Sequence, residues 1–131
     1  MLPKAERLKE RKLFNITFSV AKKNRQKLSS GYLLLYYLFG KNNINKFPLT
    51  AFIVGTKVDK KATVRNLVKR RMKASYNELK KTFFISKDHN PIKVLIWVAN
   101  ESIKNATFKQ IKLTMESILK RLEGECKKLN G

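Results

Sequence analysis

Apolar residues recur along the chain with two different spacings, which predict alternating strands and helices. Residues 32–39 are apolar or aromatic throughout and lie between Gly31 and Gly40, a pattern typical of a buried strand. From Asn105, a suitable N-cap, apolar side chains instead recur three and four positions apart, which predicts an amphipathic helix. By the same criteria the predicted helices cover residues 9–23, 62–83 and 105 onwards, and the predicted strands cover residues 32–39, 49–56 and 93–99.

This order of elements predicts an α+β fold in which helices pack against a face of one mixed sheet. We expect residues 24–31 to form a polar loop. We also expect the strands at 32–39 and 49–56 to form an antiparallel hairpin through a turn at 40–48. Loop residues are frequent in both connecting segments, and short connections favour neighbouring strands.

Length and composition indicate one folded and strongly basic domain. A chain of 131 residues, 43% of them hydrophobic, has enough material for one core, so we expect a single domain over 1–131 with loose tails at 1–8 and 125–131. Thirty Lys and Arg face nine Asp and Glu, a formal charge of +21. Self-repulsion of this size opposes the compact state unless a polyanion screens it. The usual polyanion is nucleic acid, and its binding is steeply salt-dependent.

The basic charge is concentrated in residues 57–73, which contain eight basic residues and one acid, Asp59. On a helix that begins near Ala62, the face opposite the apolar side carries Arg65, Lys69 and Lys73 in one row and Asn66 and Arg70 in the next. We call these five residues the cationic ridge, which is roughly 12 Å long. A solvated lysine-rich surface is the alternative. Arginine favours phosphate binding through its planar fork, and an asparagine can read a base edge or a 2′-hydroxyl.

The run ATVRNLVKRR resembles the signature helix of the bacterial ribonuclease P protein family, whose pattern is approximately A-V-x-R-N-R-x-K-R. The positions that match in register are Ala62, Arg65, Asn66, Lys69 and Arg70. Flanking segments are also similar to the family, namely Arg7-Leu8 followed by Phe14 and Phe18, LLLYYL, FIVGTKVDKKA, and KVLIWVA followed by Thr107-Phe108. The resemblance extends over most of the chain.

Three positions depart from the family pattern. Leu67 replaces the second arginine of R-N-R, Arg71 stands where an apolar residue is common, and Lys60 stands where many members have glycine. Leu67 and Arg71 are one helical turn apart, so two interpretations are open. Either the guanidinium has moved by one turn, or Leu67 packs inward and one RNA contact is lost.

The resemblance implies a fold and a function. The fold is a two-layer α/β sandwich with a mixed four-stranded sheet and three helices in the order α-β-β-β-α-β-α, including a left-handed βαβ crossover. The function is that of the protein subunit of ribonuclease P, an endoribonuclease that removes the 5′ leader of precursor tRNA. In this family the RNA subunit and its Mg²⁺ ions perform the hydrolysis. The implied partners are ribonuclease P RNA and precursor tRNA, and no protein partner is predicted.

The resemblance also implies two binding surfaces. The residues expected to bind the catalytic RNA are Lys60, Lys61, Arg65, Asn66, Lys69, Arg70, Arg71 and Lys73. The residues expected to line a cleft for the single-stranded leader are Phe14, Phe18, Tyr36 and Lys57. Aromatic rings stack on unpaired bases and cations follow the backbone. The competing interpretation places these aromatic residues in the core, and Tyr37, on the other strand face, is the rival of Tyr36.

The sequence predicts no catalytic residue, no metal site and no cofactor motif in the protein itself. His89 is the single histidine and lies beside Asp88 in a polar segment, while Cys126 is the single cysteine and forms no internal disulfide. The most apolar run has eight residues against the roughly 20 that a membrane-spanning helix needs. We see no export signal, and we therefore expect a cytoplasmic protein that does not bind membranes.

Two other functions fit the charge. A structural RNA-binding protein of the ribosome would bind RNA without any dependence on a tRNA leader. A DNA-binding protein would place the basic helix in a major groove, but the sequence has no helix-turn-helix arrangement.

Overall fold

The predicted order of helices and strands is confirmed by the computed structural model, which describes residues 6–40, 47–84 and 92–130. Within these residues the elements are α1 (Arg11–Asn24), β1 (Lys27–Ser30), β2 (Leu33–Phe39), β3 (Leu49–Ile53), α2 (Ala62–Phe84), β4 (Ile92–Ala99) and α3 (Phe108–Asn130). A short 3₁₀ helix, Glu101–Asn105, precedes α3. The α+β class, the mixed four-stranded sheet and the three helices agree with the sequence-based expectation.

The four strands lie in the order β1-β2-β4-β3. Strand β4 is central, antiparallel to β2 and parallel to β3. The predicted hairpin between β2 and β3 is therefore wrong, because β4 lies between them. Parallel neighbours need a crossover, and α2 provides it between β3 and β4. The left-handed sense of this crossover stays a prediction.

Strand β1 lies where a loop was predicted for residues 24–31. It pairs with β2 through a tight turn in which Gly31 has a φ of 41°, a conformation that favours glycine. Only Leu28 of its four residues is buried. A short, polar edge strand of this kind carries almost no local signal, because its pairing with β2 is what stabilises it.

Helices cover both faces of the sheet. Alternate residues of β2, including Leu35 and Tyr37, join Trp97 of β4 in the main core under α2 and α3. The other residues of these strands, with Val94 and Ile96 at the centre, form a second cluster against α1. Helix α1 thus lies on the sheet face opposite α2 and α3.

The described parts of the two predicted tails, residues 6–8 and 125–130, belong to the folded structure. Leu8 is buried and donates its N–H to the Thr50 carbonyl at 3.0 Å, so residues 6–8 run along the edge strand β3. Helix α3 continues through residue 125 to Asn130. The predicted N-cap at Asn105 is wrong, because that residue ends the 3₁₀ helix.

Candidate nucleic-acid interface

Helix α2 displays the cationic ridge because its other side is anchored in the core. Val68, Met72 and Tyr76 are fully buried at the helical spacing that the sequence predicted. Asn66 and Arg70 are exposed on the side away from the core, whereas Lys69 and Lys73 are half-buried at its flank. Arg65 is also half-buried, and because it precedes Met72 by seven positions it lies on the core side of the helix rather than on the opposite side, where it was predicted. Lys60 and Lys61 are exposed in the turn that leads into the helix. Most of the residues expected to bind RNA therefore share one surface.

The single acid of this segment does not neutralise the ridge. Asp59 forms an ion pair with Lys104 at 2.6 Å and accepts the Lys61 N–H at 2.8 Å. The hydrogen bond from Lys104, followed by that from the Lys61 amide, lowers the pKa of Asp59 below its ordinary value. Across residues 6–40, 47–84 and 92–130, no carboxylate lies within ion-pair distance of the ridge cations. The positive charge of the ridge is therefore available to an external anion.

Arg65 differs from the other ridge residues because it also orders the loop before α2. Its Nη1 donates to the Asp59 carbonyl at 3.0 Å and to the Lys60 carbonyl at 2.7 Å. A guanidinium carries five N–H donors, so donors remain for a phosphate. Arg65 thereby links the position of the helix to the position of the lysines that precede it.

Arg71 lies away from the ridge. Its Nη1 donates to the Ala106 carbonyl at 3.1 Å, which ties α2 to the segment before α3. Leu67, one turn earlier, is 46% exposed and so does not pack inward. The interpretation in which Leu67 packs inward is therefore wrong, whereas an RNA contact by Arg71 stays a prediction, since its guanidinium keeps further N–H donors.

The aromatic residues expected in the leader cleft meet on the α1 face of the sheet. Phe18 of α1 and Tyr36 of β2 contact edge to face, with ring centroids 4.9 Å apart. Both rings and Phe14 are half-buried, so each retains accessible surface. Tyr37 is buried on the other face, so Tyr36 is the one of these two tyrosines that keeps accessible surface on the α1 face. Lys27, which the sequence analysis missed, lies over the Tyr36 ring at 5.7 Å.

Lys57 lines a separate cavity of about 450 Å³ on the same face. Its floor is a row of apolar residues across the sheet, in which Leu34 pairs with Val98 and Val98 with Ile53. Leu34 is two positions from Tyr36 along β2, which corresponds to roughly 7 Å. Lys57 is thus near the aromatic residues but one row of the sheet away from them.

A cavity of about 380 Å³ connects α1 with the cationic ridge. Lys69 and Lys73 line one side of it, Arg7 and Lys9 another, and Phe14 lies at its apolar wall. We call it the basic cavity. Arg7 and Lys9 were not predicted as site residues, because only the pairing of residues 6–8 with β3 brings them close to α2.

No group of three or more His, Cys, Asp or Glu side chains that could hold a metal ion is found in the described part of the chain. Among the described helices, none combines the length and the apolar character needed to cross a membrane. Asp88 and His89 lie outside the described residues, and Cys126 is buried in the main core.

Comparison with known proteins gives consistent results. Residues 2–123 match the sequence model of the family described as Ribonuclease P. A ribonuclease P protein component from Phytoplasma australiense is 29% identical over 100 residues, which are 76% of this chain and 79% of that protein.

Solved structures show the same fold. A mutant of the Staphylococcus aureus RNase P protein with defective mRNA degradation activity superposes with a TM-score of 0.72 at 22% identity, over 92% of this chain and 90% of the other. The RNase P protein from Thermotoga maritima gives a TM-score of 0.69 at 19% identity, over 88% and 96%. With nearly the whole chain matched, this protein belongs to the ribonuclease P protein family, whose members are part of an RNA-containing endoribonuclease that processes tRNA.

Proposed function

We propose that the chain acts in the cytoplasm as the protein subunit of ribonuclease P, binding both the catalytic RNA and the 5′ leader of precursor tRNA. The observation that carries this proposal is the cationic ridge, which bears the family motif and is not neutralised by the described acids. In this proposal the RNA subunit and its Mg²⁺ ions supply the hydrolysis. The protein supplies affinity, orientation and charge screening.

The ridge is suited to folded RNA. Arg70 and Arg65 present planar donor forks to phosphate oxygens, and the two half-buried lysines add point charges along the same line. Asn66 is exposed between them and can donate to and accept from a base edge or a 2′-hydroxyl. Release of counter-ions from the RNA would supply most of the affinity.

The α1 face is suited to a single strand. Phe18 and Tyr36 offer partly accessible rings for stacking on unpaired bases, and Lys27 and Lys57 provide cations on the same face. The basic cavity lies between this face and the ridge. A leader that leaves the aromatic residues therefore meets Lys69 and Lys73, where the two RNA surfaces adjoin.

Reconstitution with a ribonuclease P RNA tests the proposal. At low magnesium the protein is expected to restore cleavage of precursor tRNA. Arg65→Ala is expected to weaken assembly with the RNA subunit. Phe18→Ala is expected to weaken binding of substrates that carry a leader, with little effect on substrates without one or on assembly.

Lys120→Ala is the matched control, since this exposed lysine of α3 pairs with Glu116 one turn away and lies on neither surface. Equal losses in both assays for Arg65→Ala and Phe18→Ala would contradict two separate surfaces. RNA binding without stimulation of cleavage and without leader dependence would instead indicate a structural RNA-binding protein.

A further inference from the structure

A groove between α2 and the start of α3 begins at the cationic ridge and continues along residues that the proposed function does not use. It has a volume of about 550 Å³ and is lined by Arg70, Lys73, Ala74, Asn77, Glu78 and Phe108. Phe108 is 38% exposed, although phenylalanine is among the residues most often buried in proteins. Ala74 is exposed, and its small side chain leaves the floor of the groove open.

The structure holds both walls of this groove in place. The Arg71 guanidinium binds the Ala106 carbonyl, two residues before Phe108. At the start of α3 the Thr107 hydroxyl accepts the Gln110 N–H at 3.2 Å, and the Gln110 side chain accepts the Thr107 N–H at 2.9 Å. This capping box fixes the first turn of the helix that carries Phe108. The ring is therefore positioned against α2 before any ligand arrives.

The two ends of the groove differ in charge. Arg70 and Lys73 lie at one end, and Asn77 and Glu78 lie at the other, about 10 Å further along the helix axis. Glu78 is the acid of the groove, and Lys112 partly neutralises it at 3.5 Å. A phosphate is favoured at the cationic end and disfavoured near Glu78. The amide of Asn77 can both donate to and accept from the edge of a base.

We propose that this groove binds one unpaired nucleotide of the partner RNA, with its base against Phe108 and its phosphate on Arg70 and Lys73. The proposal rests on the proposed function in taking the partner to be RNA, and it adds Phe108, Ala74 and Asn77 to the interface. Charge complementarity identifies the occupant. An apolar peptide would leave the two cations unused, whereas a nucleotide uses the ring, the cations and the amide together.

The test measures the affinity of the full-length protein for ribonuclease P RNA in the absence of precursor tRNA. Phe108→Ala is expected to weaken binding on the order of tenfold, as expected for the loss of one base–aromatic stack. Phe108→Tyr keeps the ring and is expected to remain within about twofold of the unmodified protein. Ala74→Leu keeps every charge but fills the groove, and it is expected to weaken binding as Phe108→Ala does.

Leu113→Ala is the matched control, because Leu113 is 57% exposed on the same helix and does not line the groove. The slope of log affinity against log salt distinguishes stacking from charge. Phe108→Ala should lower the affinity and leave the slope unchanged, since it removes no phosphate contact. Ultraviolet crosslinking should join the peptide that contains Phe108 to a nucleotide.

Equal RNA affinities for Phe108→Ala and Leu113→Ala would overturn the proposal. A smaller salt dependence of RNA affinity in Phe108→Ala would also overturn it, because it would show that the substitution had displaced the cations. An unmodified protein that fails to bind this RNA at all would instead contradict the proposed function. These results can be told apart because the first two require normal assembly by the unmodified protein.

Discussion

Lys80 is a buried cation that holds the N-terminal segment in place. It is 7% exposed, and its Nζ lies 2.7 Å from Glu6 Oε1 and 4.8 Å from the centroid of the Phe47 ring. Leu8, two residues after Glu6, is bonded to β3 through its N–H. Since Arg7 lies between them, the ion pair also fixes one wall of the basic cavity.

Glu6→Gln is therefore expected to destabilise this segment. Removing one partner of a buried ion pair leaves a charge without compensation, and because residues 6–8 can detach we expect a loss of about 1–3 kcal/mol rather than more. Hydrogen exchange of the Leu8 amide should accelerate, and urea unfolding should report the lost stability. The control is Glu116→Gln, whose exposed pair with Lys120 should contribute less than about 0.5 kcal/mol. Unchanged exchange at Leu8 would contradict the role of the pair.

Arg65 offers a test that conserves charge. A lysine cannot reproduce the two hydrogen bonds to the Asp59 and Lys60 carbonyls, so Arg65→Lys should disorder the turn that carries Lys60 and Lys61. We expect RNA affinity to fall by about 1–2 kcal/mol with little change in the salt slope. Arg70→Lys is the comparison, because Arg70 is exposed and the described structure gives its guanidinium no such carbonyls. Equal effects of the two substitutions would show that the carbonyl bonds are irrelevant to binding.

Residues of the site could be predicted where the signal is local. The spacing of residues 65–73 correctly predicted that one continuous helix carries all five ridge residues. Arg7, Lys9 and Lys27 were missed, since their positions depend on strand pairings with distant parts of the chain. Arg71 was expected to bind the catalytic RNA, and the bond that its guanidinium makes to the Ala106 carbonyl, 35 positions later, is one that no local pattern indicates.

At the scale of elements, the long periodic segments were predictable and their pairing was not. Helix α2 was predicted over 62–83 and extends over Ala62–Phe84, because its buried and exposed faces alternate clearly. The pairing of β2 with β4 depends on which strand best buries both of its faces. Strand β4 has four consecutive fully buried residues, Val94 to Trp97, and therefore occupies the centre of the sheet.

The start of α3 gives a prediction at this scale. Thr107→Ala removes one half of the capping box and leaves an N–H of the first turn without its side-chain acceptor. The expected loss of unfolding free energy is about 1 kcal/mol, measured by urea unfolding. Ser117→Ala, at an exposed position in the middle of the same helix, is the control and should cost no stability. A loss in both variants of similar size would assign the effect to the hydroxyl rather than to the cap.

The charge of the whole molecule acts on folding and on binding with opposite signs. A formal +21 on 131 residues repels itself in the folded state, where the cations are closest together. The ion pairs that join Lys80, Lys104, Lys112 and Lys120 to carboxylates relieve only part of this repulsion, and none of them involves residues 65–73 of α2, which carry the ridge. The same unneutralised charge attracts RNA. High charge is thus a cost to the free protein and a gain to the complex.

Salt should separate these two effects. Raising the ionic strength from about 0.01 to 0.1 M shortens the Debye length from roughly 30 to 10 Å, which screens repulsion between distant lysines. The free protein should therefore melt at a higher temperature, and a gain of about 1 kcal/mol in unfolding free energy corresponds to a shift of roughly 3–6 °C.

Over the same range of ionic strength RNA affinity should fall. Lys69→Ala should reduce the slope of log affinity against log salt by about 0.7–0.9, while Lys120→Ala leaves this slope unchanged. A melting temperature that falls with added salt would mean that attractive pairs outweigh repulsion in the free protein. In that case repulsion among the cations would not destabilise the free protein, and RNA binding would have no repulsion to relieve.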